Sequence, residues 1–196
     1  VPADLDYGGV TVTNIAVRLK GNSSLSAGRT QPSLKVDINY YRPDLEFDGL
    51  NKLNLHNVST EQSHLSEYLS YGAWRAMNVP APRTGWAEVW INGKKYGTYT
   101  SVEEFDQGFI KRNFDYKQGD LYKPEPPAGT LTWRGGSISN YPVVNWELQE
   151  TTDHAAFIHF LDVLNRQPVS ALSQVLDLNG ALTYLAGIVA LGNWDA

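Results

Sequence analysis

Five short stretches of this chain carry side chains suited to a charged, oxygen-rich ligand. The first is Arg18-Leu19-Lys20-Gly21-Asn22-Ser23-Ser24, which leaves a β-branched run and enters a small polar turn. Glycine lets the backbone approach a ligand closely. Successive backbone N–H groups and hydroxyls can then cradle phosphate oxygens, while Arg18 or Lys20 neutralises their charge. The second is Lys35, set between Leu34 and Val36 in an alternating run, where a strand lysine can reach a phosphate. The third is Glu67, on a helical stretch, an acid placed to pair with such a lysine. The fourth is Val102-Glu103-Glu104-Phe105-Asp106, and the fifth is Asn193-Trp194-Asp195. A carboxylate beside an amide suits Mg²⁺, and it equally suits a base that takes a hydroxyl proton. Each stretch also has a plainer role open to it. These are a surface turn (which happens to spell a glycosylation sequon), an outward lysine, a solvated helix glutamate, acids facing a helix dipole, and a polar turn.

The elements that must position these residues are legible from periodicity. Val10 to Lys20 is rich in β-branched residues, and Ser33 to Tyr41 alternates with Leu34, Val36, Ile38 and Tyr40 on one face. Leu50 to His56 is a third strand, with Leu53 and Leu55 on one side. Ser59 with Gln62 forms a capping box for a helix whose apolar stripe is Leu65, Leu69, Ala73 and Met77. Glu67, Tyr71 and Trp74 lie on the opposite face, and Asn78 with Pro80-Ala81-Pro82 stops the helix. Trp86 to Ile91 and Tyr96 to Val102 flank Asn92-Gly93, the signature of a hairpin with a type I′ turn. A short helix from about Asp106 to Phe114 and a strand over Asp120 to Lys123 follow. Residues 124–150 are rich in Gly, Pro and Ser and read as a loop or small insertion. From Thr151 the spacing is helical, with Phe157, Leu161 and Leu164 on one stripe, and Asp177 or Asn179 caps the last helix. Strands first and helices later predict an α+β fold.

Composition narrows the function classes. The chain has 196 residues, 42% hydrophobic and 19% charged, which places it among globular rather than disordered sequences. A net charge of −5 argues against a nucleic-acid partner. The absence of cysteine removes disulfides, thiolate metal sites and cysteine nucleophiles. No run of about 18 apolar residues exists, so no membrane span is expected. The four histidines lack zinc spacing, and no GxSxG, Walker A or GxGxxG occurs. A paired-carboxylate glycosidase stays open on the acids alone.

Taken in order, the runs RLKGNSSL, SLKVDINYY, FDGLNKLNLHN, SHLSEYLSYGAWRAMNVPAPRTG, AEVWINGKKYGTYTSVEEFDQGFIKRNF, GDLYKP and LGNWDA resemble the CotH (spore-coat protein H) kinase family. The resemblance implies a divergent protein-kinase-like fold with ATP and Mg²⁺ in a cleft between lobes. The strand-rich N-lobe would be residues 1–123, the insertion 124–150, and the start of a helical C-lobe 151–196. It implies that Arg18, Gly21, Asn22, Ser23, Ser24 and Lys35 lie at the phosphates, with Glu67 the helix partner of Lys35 and Glu103 near the nucleotide. Asp195 would be the catalytic acid, and Asn193 with Asp195 would hold the metal. The family continues past this Asp with further metal-binding residues, so the chain is expected to be a C-terminally truncated piece with little phosphotransfer of its own. The opening at Val1 rather than Met likewise suggests a removed upstream segment. The implied partners are ATP and a coat, matrix or secreted protein substrate, at the cell surface, in the spore coat or outside the cell. The alternative is a pseudokinase or a protein- or carbohydrate-binding module, favoured by exposed aromatics on the hairpin.

Overall fold

The computed structural model of the chain describes residues 1–21, 31–57, 63, 65–115, 120–124, 130–141, 144–148 and 154–192. Its strands are β1 (Pro2–Tyr7), β2 (Val10–Lys20), β3 (Ser33–Asp37), β4 (Lys52–His56), β5 (Thr84–Ile91), β6 (Lys94–Glu103), β7 (Leu121–Pro124) and β8 (Val144–Leu148). Its helices are α1 (Ser66–Ala76), α2 (Gln107–Asn113), α3 (Ala155–Arg166) and α4 (Leu178–Leu191). The fold is α+β, strand-rich at its N-terminal side and helical at its C-terminal side. Two compact units form: Val1–Ala76 with Pro80–Phe109, and Met77–Val79 with Ile110–Ala196. Among the described residues no helix is long and apolar enough to cross a membrane.

The first unit is an antiparallel sheet in the order β1-β2-β3-β4-β6-β5. Two tight turns make it possible. Gly8 and Gly9 take φ of 58° and 82° between β1 and β2, and Asn92 and Gly93 take 51° and 76° between β5 and β6. Positive φ at both central residues is what a type I′ hairpin requires. Register then sorts the side chains, because residues opposite each other in antiparallel ladders share a face. Leu34 lies opposite Leu19 and Leu55, and Val36 opposite Val17 and Leu53. Val12, Ile15, Leu34, Val36, Ile38, Leu55 and Tyr99 form the buried core of this apolar face. The Tyr99 hydroxyl donates to the Pro32 carbonyl at 3.2 Å. Burial, and secondarily the neighbouring Tyr96, push its phenol up to about 12.

Two apolar patterns fold differently from their expectation. The alternation over Ser33–Tyr41 stops at Asp37, because the chain turns there to bring β4 alongside. Ile38 is still buried and donates its N–H to the Asn51 carbonyl at 2.8 Å. Tyr40, beyond the strand, is 64% exposed and edge-on to Tyr41. On α1 the Leu65 and Leu69 stripe is exposed, and the opposite face packs instead. Trp74 is buried, and Tyr68 stacks on Trp86 of β5 with centroids 4.2 Å apart. Aromatic area and ring stacking outweigh two leucines when the sheet presents a tryptophan to the helix. The Ser59–Gln62 capping box lies outside the described residues.

In the second unit β7 pairs antiparallel with β8, so part of the stretch expected as loop is strand. His154, which precedes α3 with φ 51°, is buried against Asp120 and Tyr122. The Tyr122 hydroxyl donates to Asp120 at 2.8 Å, and its ring stacks on Phe157 of α3. Leu161 and Val163 are the buried positions of α3, whereas Leu164 is at the surface. Of the two caps expected for the last helix, Asp177 is the one that forms, and Asp106 caps the short helix α2. Asp106 accepts the N–H groups of Gly108 and Phe109 at 2.9 and 3.2 Å, and Asp177 accepts that of Gly180 at 3.1 Å.

Candidate functional site

The sheet has a second face, and it is polar. Arg18 lies opposite Lys35, Lys35 opposite Asn54, and Asn54 opposite Val102. Lys20 shares this face two residues beyond Arg18, as does His56 two beyond Asn54. Helix α1 is held on the same face by the Tyr68–Trp86 stack and by Glu67, whose Oε1 is 2.6 Å from Nδ1 of His56.

At its centre Lys35 forms an ion pair with Glu104, Nζ to Oε2 2.5 Å, and each side chain is only 14% exposed. Burial alone would push the Glu104 carboxyl up. The hydrogen bond and charge of Lys35, the charge of Lys20 and a hydrogen bond from Asn54 together hold it below its ordinary value. Glu104 is therefore a carboxylate at neutral pH, and Lys35 is its fixed cation.

The lysine and the helix glutamate expected as partners are thus drawn apart. Glu67 does not reach Lys35; it binds His56, and the far ring nitrogen of His56 lies 3.0 Å from Nζ of Lys20. The reason is register. Glu104 continues β6 from Val102 and occupies the space over Asn54 toward which Lys35 extends, whereas α1 docks at the Trp86 and His56 end of the face. Glu103, one residue out of phase with Glu104, lies opposite Leu53. It is buried, with Arg83: its Oε2 accepts the Arg83 N–H at 2.9 Å and the guanidinium stands 3.6 Å from Oε1. Arg18 is exposed, and Gly21 takes φ 115°. Asn22, Ser23, Ser24, Asn193 and Asp195 lie outside the described residues.

Sequence reasoning named Glu104 only within its acidic stretch and chose Glu103 from it, and it passed over Asn54 and the place of His56 on this face. The signal for Glu104 was its phase: it is two residues from Val102, which the hairpin register sets across from Asn54 and hence from Lys35. His56 was considered only for zinc.

The donor set fits a polyphosphate in part. Lys20, Lys35 and Arg18 stand on one face of adjacent strands, and cations of this kind suit phosphate oxygens. Asp37 Oδ1, Asn54 Oδ1 and Thr100 Oγ1 are buried oxygens without a hydrogen-bond partner, and all three stand on this face. Unsatisfied oxygens suit bound water or the water shell of a magnesium ion. Among the described residues no three His, Asp or Glu side chains cluster closely enough to ligate a metal directly.

Residues 17–196 match the family model described as CotH kinase protein, and the chain belongs to that family. No curated protein matches the chain.

Proposed function

We propose that the chain is the nucleotide-binding part of an ATP- and Mg²⁺-dependent, protein-kinase-like phosphotransferase that modifies proteins outside the cytoplasm. The observation that carries this reading is the half-buried Lys35–Glu104 pair on the polar face of an antiparallel sheet, beneath a docked helix, in a member of the CotH kinase family. A lysine held by a carboxylate on such a face is pre-positioned for phosphate oxygens. In this reading ATP supplies the phosphoryl group and magnesium screens its charge. Lys35 contacts phosphate, Gly21, Asn22, Ser23 and Ser24 serve at the phosphates with Arg18, and Glu67 and Glu103 brace the elements around the nucleotide. Asp195 serves as the acid that orients the acceptor hydroxyl and, with Asn193, binds metal. Residues 1–123 then act as an N-lobe, 124–150 as an insertion and 151–196 as the start of a C-lobe. Spore coat, cell surface or secreted matrix is the setting, and a coat or matrix protein is the substrate.

The test is calorimetry of ATP–Mg²⁺ on the full-length protein, followed by transfer of labelled phosphate. Lys35→Ala should weaken nucleotide affinity about tenfold or more, the scale of a lost charge-assisted contact. Asp195→Ala should abolish transfer and leave the fold intact. Transfer that survives Asp195→Ala removes that acid from catalysis, and no ATP binding by the unaltered protein refutes the reading.

A second reading is a pseudokinase or a binding module for proteins or carbohydrate. It is favoured by Trp86 and Trp90, 50% and 59% exposed on β5. ATP binding without transfer by the full-length protein would select it.

A further inference from the structure

The polar face carries a three-residue chain whose central histidine the phosphotransferase reading leaves unused. Lys20 ends β2, His56 ends β4, and Glu67 lies in the first turn of α1. The ring of His56 touches both neighbours, Nε2 at 3.0 Å from the Lys20 ammonium and Nδ1 at 2.6 Å from the Glu67 carboxylate. An ammonium has only hydrogens to offer, so Nε2 must be the acceptor. The ring proton is then on Nδ1, and it is donated to Glu67. The two neighbours together select one neutral tautomer.

We infer that His56 is a positioning residue: in its neutral form it ties α1 to the end of β2 and aims Lys20 as a second phosphate-facing cation beside Lys35. This rests on the nucleotide reading above. Lys20 stands directly before Gly21, where the backbone turns with φ 115° into the polar segment. Its charge is already felt at Glu104, so it belongs to the same electrostatic cluster as Lys35.

The arrangement has a built-in pH dependence. A second ring proton would put an N–H on Nε2, against an ammonium that cannot accept it, and would set two cations face to face. Among the described residues, the other charged groups turned toward this region are Arg18 of β2, Lys35 of β3, Glu104 beyond β6 and Glu67 of α1; β6 presents Thr100 opposite His56. Protonation therefore keeps the bond to Glu67 and breaks the one to Lys20. Nucleotide affinity should fall on acidification through this group, over and above any change in the nucleotide itself.

The experiment is calorimetric titration of the full-length protein with ATP–Mg²⁺ at about pH 8 and about pH 5.5, a span in which imidazoles gain a proton. Four proteins are compared: unaltered, His56→Gln, His56→Asn and Lys20→Gln. Glutamine keeps an acceptor near Nε2 without titrating, and asparagine keeps only the group near Nδ1. The unaltered protein should lose about tenfold more affinity on acidification than His56→Gln, the scale of one charge-assisted hydrogen bond. The titration of ATP is common to all four and cancels in that comparison. His56→Asn and Lys20→Gln should bind weakly at both pH values. Equal pH dependence in the unaltered protein and His56→Gln overturns the role of His56. Unimpaired binding by Lys20→Gln overturns that of Lys20. Melting curves identify any variant that fails to fold, and the comparison of unaltered protein with Lys20→Gln stands without the histidine variants. No binding by the unaltered protein at either pH refutes the nucleotide reading itself and, with it, the phosphate role of Lys20. The relay alone is then decided by nitrogen NMR of His56, where a proton on Nε2 at high pH would overturn it.

Discussion

Replacing Glu104 by glutamine tests the central ion pair. The substitution keeps the side chain's shape and removes its charge, leaving the Lys35 ammonium, 14% exposed, without its counter-ion. Breaking a buried pair from one side costs about 3–5 kcal/mol. The residual exposure of both partners and the nearby Asn54 amide place this case at about 3 kcal/mol, the lower end of that scale. For a chain of this length that corresponds to a melting temperature lower by about 6–12 °C. The pH dependence follows from the lowered carboxyl of Glu104. The folded state binds this proton less tightly than the unfolded state. The pair's stabilisation is therefore complete above the ordinary carboxylate range and is lost as pH falls through the folded-state value. The gap between unaltered protein and Glu104→Gln should thus close on acidification. Urea unfolding at several pH values measures it, and a double replacement, Lys35→Met with Glu104→Leu, should restore most of the loss because neither charge is then stranded. A gap below about 0.5 kcal/mol at neutral pH, the scale of an exposed pair, would refute the argument. So would a gap that widens in acid.

Two further outcomes follow from the elements around the site. Trp86→Ala removes the ring on which Tyr68 stacks, so α1 should loosen by about 1 kcal/mol beyond the lost contact area. Amide hydrogen exchange should then speed up in Ser66–Ala76 while β2 and β3 are unchanged; equal protection of α1 in both proteins would show that the stack does not anchor it. Gly93→Ala meets no atom within 4 Å, so its whole cost comes from φ 76°, about 1–2 kcal/mol of destabilisation in thermal unfolding. A neutral effect would mean that the hairpin turn rearranges without penalty.

The parts legible beforehand are those governed by local rules. Val10–Lys20 is a strand over those same residues, Asn92-Gly93 makes the expected turn, and Asp177 caps the helix it precedes. These signals are short-range, and each has one physical cause. What resisted reading was non-local. Whether Leu69 or Trp74 of α1 is buried depends on what the sheet offers across from it, and Trp86 becomes that surface only once β5 pairs with β6. The choice between Glu103 and Glu104 turns on one residue of register, which sends one carboxylate to Arg83 and the next to Lys35. A lysine in an alternating strand with a glutamate in the following helix suggested a direct pair. The sheet instead inserts His56 between a different lysine and that glutamate.

This rearrangement changes how an incoming polyphosphate would be received under the proposed function. The centre of the polar face carries two lysines and two glutamates, and each lysine is already engaged: Lys35 directly with Glu104, Lys20 through His56 toward Glu67. A phosphate that takes up Lys35 must either share it with Glu104 or turn that carboxylate aside, and two anions sharing one ammonium in a half-dry site repel each other. A divalent cation arriving with the nucleotide relieves that conflict, because it adds positive charge where the face has no surplus of its own. Contact of the phosphate with Lys35 should therefore depend strongly on magnesium. Titrating the unaltered protein and Lys35→Ala with ATP in the presence and absence of magnesium tests this: the affinity that Lys35 contributes should appear chiefly with magnesium. An equal contribution with and without it would mean that Glu104 yields its lysine without help.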